Sequence, residues 1–283
     1  MPMRTASEFV SWVDTEKTVP LDMHLLDTAK VAEGLLRRDW ISVAERFGLD
    51  DNLLKYAAVL HDIGKAGFYR IEGDIQQRPS ELADFQRISR GRDFLPFWFH
   101  EILSALYVQC LEIADSLNYR DGGVYMVLKL AVLFHHFGMK NRYKLQKMLK
   151  MGVIKIDNFI RINEKGEIYR YILDFQNRKI GREWVSLDDL IEEMNLILAS
   201  SGFPATAESC NVLKALEHLK VALVKYSKTL YPSTFALLGF LSIADSLAAS
   251  LERGKKWEPT RYASRIASEL GVSYEDLRSL LQD

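Results

Sequence analysis

The stretch LLKYAAVLHDIGK, residues 53–65, decides how this chain is interpreted. Its first eight residues are mostly apolar and contain no helix breaker, so they predict a buried helix. We expect this helix to span about Asp51 to Ile63, with Gly64 as its stop. The doublet His61-Asp62 at its end is a weak signal by itself, and its meaning depends on the rest of the chain.

Apolar residues recur at helical spacing along most of the chain, which predicts an all-α fold. Further helices are predicted over about 21–38, 96–117, 124–137, 207–230, 233–251 and 273–281. Between Met151 and Trp184, apolar and polar residues instead alternate around an Asn-Glu-Lys-Gly turn, which predicts a β-hairpin. We therefore expect one helical domain over residues 1–283, with a hairpin insertion at 151–184.

The composition is that of a soluble globular protein, with 283 residues, 48% hydrophobic and 27% charged. A formal net charge of -1 excludes a global basic field, so any nucleic acid must bind through a local patch. No signal-type start and no uninterrupted run of 18 apolar residues is present, which favours a cytoplasmic protein with no membrane association. Cys110 and Cys210 form no CxxC pair, so we expect reduced thiols rather than a disulfide.

Asp245 is the only charged residue between Pro232 and Leu251. A helix that apolar is buried on most sides, and an uncompensated carboxylate there costs several kcal/mol, roughly. Asp245 must therefore be neutralised, hydrogen-bonded or bound to a cation. An arginine or backbone partner would satisfy it equally well.

The chain contains six histidines, and five of them lie in or beside apolar helical stretches: His24, His61, His100, His135 and His136. A single histidine in such a place is more often a core residue than a ligand. Five of them, together with Asp62 and Asp245, are hard to explain by packing alone. Imidazole and carboxylate together suit Mn, Fe, Co, Ni or Zn better than Mg alone.

A histidine on one helix, a His-Asp doublet ending a second, and an aspartate on a late helix resemble the signature of the HD superfamily. Here these are His24, His61-Asp62 and Asp245, and the stretch HDIGK is a close match. The motif around His100, the doublet His135-His136 and the late segment LGFLSIADSLAAS narrow the resemblance to the stand-alone HD nuclease of type I CRISPR interference. Relatives commonly carry a Trp where this chain has Ser246.

The resemblance implies an HD-domain helical bundle and a metal-dependent phosphodiesterase that cleaves single-stranded nucleic acid, DNA or RNA, in antiviral defence. It implies two divalent cations, with Mn, Ni, Co, Fe and Mg as candidates. One cation would be held by His24, His61, Asp62 and Asp245. The second would be held by His100, His135 and His136, with Asp62 bridging the pair. Because the chain carries no helicase motif, a separate helicase and an RNA-guided effector complex are the expected partners.

Asp62 and Lys65 are the catalytic candidates. Lys65 would stabilise the leaving oxygen or support Asp62, although a solvated lysine at a helix end is an equally good interpretation. The basic run after the histidine doublet predicts a nucleic-acid-binding segment, with Lys140, Arg142, Lys144 and Lys147 as its members.

Two other functions remain open at this point. An HD phosphohydrolase could act on nucleotides or cyclic nucleotides, although no GYP-type sequence follows the histidine doublet and the basic run favours a polymer. A helical scaffold with structural metals is the other alternative. It is disfavoured because no ligand position is lost.

Overall fold

The computed structural model describes residues 9–13, 18–68, 100–114, 117, 122–138, 160–162, 168–170, 187–203, 205–207, 210, 212–225, 230–253, 265 and 267–282. The helices are α1 Leu21–Val31, α2 Arg37–Phe47, α3 Leu53–Leu60, α4 His100–Ile113, α5 Gly122–Gly138, α6 Leu187–Ser200, α7 Val212–Lys225, α8 Tyr231–Arg253 and α9 Tyr274–Gln282. The strands are β1 Val10–Val13, β2 Thr18–Pro20, β3 Ile160–Ile162 and β4 Ile168–Arg170. The predicted all-α fold with a small hairpin is confirmed.

Helix α8 forms the centre of the bundle. Every residue from Leu241 to Ser250 is buried, as expected for a helix that is apolar on all sides. It packs against α1, α3 and α5, and α5 packs in turn against α4. Within the described residues, α8 alone is long and apolar enough to span a membrane, but 67% of its apolar window is buried inside the protein, as in a core helix.

The first predicted helix is longer than expected. It continues past α1 through a π-helical turn, Ala32–Leu36, into α2. It ends at Gly48, whose φ of 64° is left-handed, and Leu49 N–H donates to the carbonyl of Ala44 at 2.9 Å. This is a Schellman-type ending, which glycine favours because it has no Cβ.

The role predicted for Gly64 is wrong. Helix α3 already ends at Leu60, and Gly64 lies inside a 3₁₀ turn, Ile63–Phe68. A Cβ at Gly64 would lie 2.1 Å from the backbone oxygen of His100 and 2.6 Å from the backbone nitrogen of Ser104. Glycine therefore stands here because the turn approaches the first turn of α4 closely.

Within the described residues, two short antiparallel hairpins accompany the helices. Strands β3 and β4 pair Arg161 with Tyr169, which confirms a hairpin within the predicted region, although its connecting residues lie outside the described part. The pairing of β1 with β2 was not predicted. This hairpin packs on α1 and on the 3₁₀ turn, so it lies beside the His-Asp doublet.

Helix α6 was also not predicted.

The prediction of reduced thiols is wrong. Cys110 on α4 and Cys210 before α7 form a disulfide with a Cα–Cα distance of 5.4 Å. The two residues are 100 positions apart, so local spacing could not pair them. The packing of α7 against α4 brings them together.

Candidate metal centre

The structure brings all seven predicted ligands into one cluster. His24 comes from α1, His61 and Asp62 follow α3, and His100 begins α4. His135 and His136 lie in the last turn of α5, and Asp245 lies in the middle of α8. Six of the seven residues are buried, and His136 is exposed at the edge of the cluster.

The cluster consists of two groups that meet at Asp62. The first group joins His24, His61 and Asp245, with Asp245 Oδ1 at 3.4 Å from His24 Nε2 and 3.7 Å from His61 Nε2. The second group joins Asp62 with His100, His135 and His136. The late aspartate is therefore adjacent to the His-Asp doublet, as the sequence analysis requires.

Asp62 directs one carboxylate oxygen to each group. Its Oδ2 lies 3.2 Å from His24 Nε2 and 3.6 Å from His61 Nε2. Its Oδ1 lies 2.7 Å from His100 Nε2 and 3.2 Å from His135 Nε2. This arrangement has the form of a bridging carboxylate.

The histidine rings are oriented by hydrogen bonds on their outer nitrogens. His61 Nδ1 donates to the carbonyl of Ala58 at 2.7 Å, and His135 Nδ1 donates to the carbonyl of Val132 at 2.7 Å. A carbonyl oxygen only accepts, so Nδ1 carries the proton in both rings. The Nε2 lone pairs are therefore directed into the cluster, where a cation would use them.

The inner nitrogens support this interpretation. Nε2 of His24, His61 and His135 is buried and has no hydrogen-bond partner in the described part of the chain. His100 Nε2 and His136 Nε2 approach each other at 3.0 Å. Donor atoms at about 2.1 Å from a shared cation are about 3.0–3.4 Å apart, which is close to the distances found here. The residues present therefore fit divalent metal ions.

Electrostatics within the cluster are strongly coupled. Burial alone would raise the pKa of Asp62, but Lys65, His61 and His100 outweigh burial and hold this pKa well below its usual value. Burial likewise opposes ionisation of Asp245, but the nearby imidazoles of His24 and His61 outweigh burial and hold its pKa well below the usual range. Both carboxylates are consequently available as anionic ligands.

The pKa values of His24 and His100 are shifted in opposite directions. Burial alone would lower the pKa of His24, but its carboxylate neighbours Glu252, Asp245 and Asp62 outweigh burial and raise this pKa well above the usual value. Burial lowers the pKa of His100, although Asp62 opposes the shift. The group containing His24 is thus the more negative surrounding for a cation.

Lys65 is not a solvated lysine. Its side chain is 7% exposed, and its ammonium group donates to Asp62 Oδ2 and, at 3.2 Å, to Ser11 Oγ on β1. This contact excludes the alternative interpretation given for Lys65. The N-terminal hairpin therefore contributes directly to the surroundings of Asp62.

Sequence reasoning missed Glu252, which contacts His24 from the outer side of the cluster. Glu252 follows Asp245 by seven residues, or about two helical turns, so the two side chains share a face of α8. This spacing was visible in the sequence. The four residues predicted to bind nucleic acid, Lys140, Arg142, Lys144 and Lys147, lie outside the described residues.

A family model described as "Cas3, HD domain" matches residues 12–253. The chain belongs to this family. No curated protein and no solved structure matches it. Membership in the Cas3 HD family implies a metal-dependent nuclease of CRISPR defence, and the match includes every ligand candidate of the cluster.

Proposed function

We propose that this Cas3-type HD domain cleaves single-stranded nucleic acid, DNA or RNA, with two divalent cations held at the cluster. The observation that carries the proposal is the carboxylate of Asp62, whose two oxygens face two separate groups of imidazoles. Bound cations would polarise the phosphodiester and lower the pKa of the attacking water. Manganese, nickel, cobalt, iron and magnesium are the candidate metals.

The protein's own residues supply position and charge. His24, His61 and Asp245 would hold one cation, His100, His135 and His136 the other, and Asp62 both. Lys65 would keep Asp62 ionised and oriented, and its contact with Asp62 favours this role over direct contact with the leaving oxygen. The exposed His136 would mark the side from which a phosphodiester reaches the cluster.

The basic segment after His136 supports a nucleic-acid substrate, because its lysines and arginine would attract a phosphate backbone to a chain whose net charge is -1, and we propose single strands as that substrate. A separate helicase would supply these strands, and an RNA-guided complex would select the target. We place this activity in the cytoplasm.

A cleavage assay tests the proposal. The purified protein is incubated with Mn²⁺ and labelled single-stranded DNA, single-stranded RNA or duplex DNA, and in parallel with a panel of nucleotides and cyclic nucleotides. Cleavage of the single strands is expected, with duplex DNA cut more slowly. Nucleotide turnover with intact oligonucleotides would instead identify a phosphohydrolase.

A further inference from the structure

Glu252 is a buried carboxylate at the end of α8 that lies outside the predicted ligand set. Its side chain is 4% exposed, and its two oxygens lie 2.8 and 3.0 Å from His24 Nδ1. The next residue, Arg253, lies 3.8 Å from the ring centroid of Trp12 on β1, so this end of α8 is held against the N-terminal hairpin. Glu252 is therefore fixed in place behind the ring of His24.

The partner of His24 differs in kind from the partners of the other oriented histidines. Carbonyl oxygens of Ala58 and Val132 accept from His61 and His135. These backbone groups orient a ring without adding charge. A carboxylate adds a negative charge as well. It raises the basicity of the imidazole, so the opposite ring nitrogen binds a cation more strongly.

The two groups of ligands consequently differ in charge. Asp245 and Glu252 belong to the His24 side of the cluster, whereas the other side has His100, His135 and the exposed His136, and the carboxylate of Asp62 is shared by both sides. Glu101, beside His100, does not provide the same support, because its Oε2 lies 3.7 Å from His100 Nδ1, beyond hydrogen-bond distance.

We propose that Glu252 is a positioning residue that orients His24 through Nδ1 and makes the His24–His61–Asp245 site the tighter of the two cation sites. Its carboxylate accepts from Nδ1–H of His24, so the ring is held with Nε2 towards the cation site. The site next to His136 then fills second. This inference rests on the proposed function, since it concerns the same cluster.

Titration calorimetry of the metal-free full chain with MnCl₂ tests the proposal. The parent is expected to bind two Mn²⁺ ions with unequal Kd values. Glu252→Gln keeps the size of the side chain and removes its charge, and it should weaken the tighter site about 10–100-fold. Glu101→Gln, a matched change at a glutamate buried to a similar degree, should leave the tighter Kd within about twofold of the parent value.

Two further measurements separate positioning from a merely structural role. In the Zn²⁺-bound protein, NMR of the histidine rings should show the His24 Nδ1–H proton further downfield in the parent than in Glu252→Gln, because a carboxylate accepts a stronger hydrogen bond than a neutral amide. If Glu252→Gln does not fold, Glu252→Asp keeps the charge but shortens the reach, and it should also weaken the tighter site.

Unchanged Kd values in Glu252→Gln, or equal weakening in Glu101→Gln, would overturn the positioning role while leaving the proposed function intact. A parent protein that binds no divalent cation would overturn the proposed function itself and this inference with it.

Discussion

Oδ1 of Asp62 lies 2.7 Å from Nε2 of His100, while Oδ2 of the same carboxylate faces His24. One side chain thus connects ligands from α1 and α4, which are far apart in the chain. This relationship makes Asp62 the residue on which both halves of the cluster depend.

Asp62→Asn should abolish cleavage, because an amide provides one neutral oxygen where two anionic oxygens are needed. Removing a hydrogen-bond partner of a metal ligand already lowers metal affinity or activity about 10–100-fold. Loss of the shared carboxylate should therefore lower kcat more than about 100-fold. Steady-state cleavage of a labelled single strand measures the effect. Asp39→Asn on the exposed part of α2 is the control and should cut like the parent.

Lys65→Met should make Mn²⁺ binding more sensitive to acid. The nearby ammonium of Lys65 counteracts burial and holds the pKa of Asp62 low, so removing it raises this pKa. Protons would then compete with the cation at a higher pH than in the parent. Mn²⁺ affinity measured from pH 5 to pH 8 checks this, and identical pH profiles would contradict the assigned role of Lys65.

Gly64→Ala should destabilise the fold by about 1–3 kcal/mol or more, because the new Cβ would overlap the backbone oxygen of His100. The start of α4 must then shift, and Mn²⁺ binding should weaken with it. Chemical denaturation and calorimetry measure the two effects.

Gly48→Ala is the control for Gly64→Ala, because it adds backbone strain without steric overlap. Gly48 has a positive φ, but nothing lies within 4 Å of the added Cβ. This variant should cost about 1 kcal/mol and leave Mn²⁺ binding unchanged. Equal metal-binding losses in both glycine variants would show that the approach of Gly64 to His100 is unimportant for the site.

Asp27→Asn should stabilise the protein above pH 6. Asp27 is buried on α1, and burial together with the charge of Glu252 raises its pKa from 3.8 to about 6. A raised carboxyl pKa means that the folded state holds the proton more tightly, so stability falls as pH rises from about 4 to 6.

The Asp27→Asn variant lacks this loss, and its gain at pH 7 should be about 1–3 kcal/mol. At pH 3.5, where the parent carboxyl is largely protonated in both states, the two proteins should differ little. Urea denaturation at both pH values provides the comparison. A gain of the same size at pH 3.5 would show that the pKa of Asp27 is not its cause.

Reduction of the Cys110–Cys210 disulfide should lower stability by about 2–4 kcal/mol, because the bond closes a segment of about 100 residues in the unfolded chain. Thermal unfolding with and without a thiol reductant measures the change. The double variant Cys110→Ala and Cys210→Ala should not respond to the reductant. Cys110 lies almost three helical turns after His100, so Mn²⁺ affinity should be the same in both redox states.

Several features were predictable from the sequence because they are local. The apolar stretch of α8 determines that this helix is buried, and the isolated Asp245 within it requires compensation. Ser273 and Asp276 form a reciprocal cap of α9, a local signal because both partners lie within one turn. Helix α6 was not predicted, although the apolar residues at helical spacing in its sequence are an equally local signal.

Other features depended on packing between distant segments. The disulfide, the approach of Gly64 to α4 and the contact between Glu252 and His24 each join segments that no local pattern relates. The environment of Lys65 is a further example, because its burial arises from the hairpin that carries Ser11.

The order of amino acids predicts a helical protein and supplies the residue types that could hold metal ions, because helix formation and apolar periodicity are properties of neighbouring residues. The packing of the helices places Asp62 between two groups of imidazoles and places the carboxylate of Glu252 behind His24 in one of them. Those relations follow from the angles and depths at which α1, α4, α5 and α8 pack, and many distant side chains together determine these.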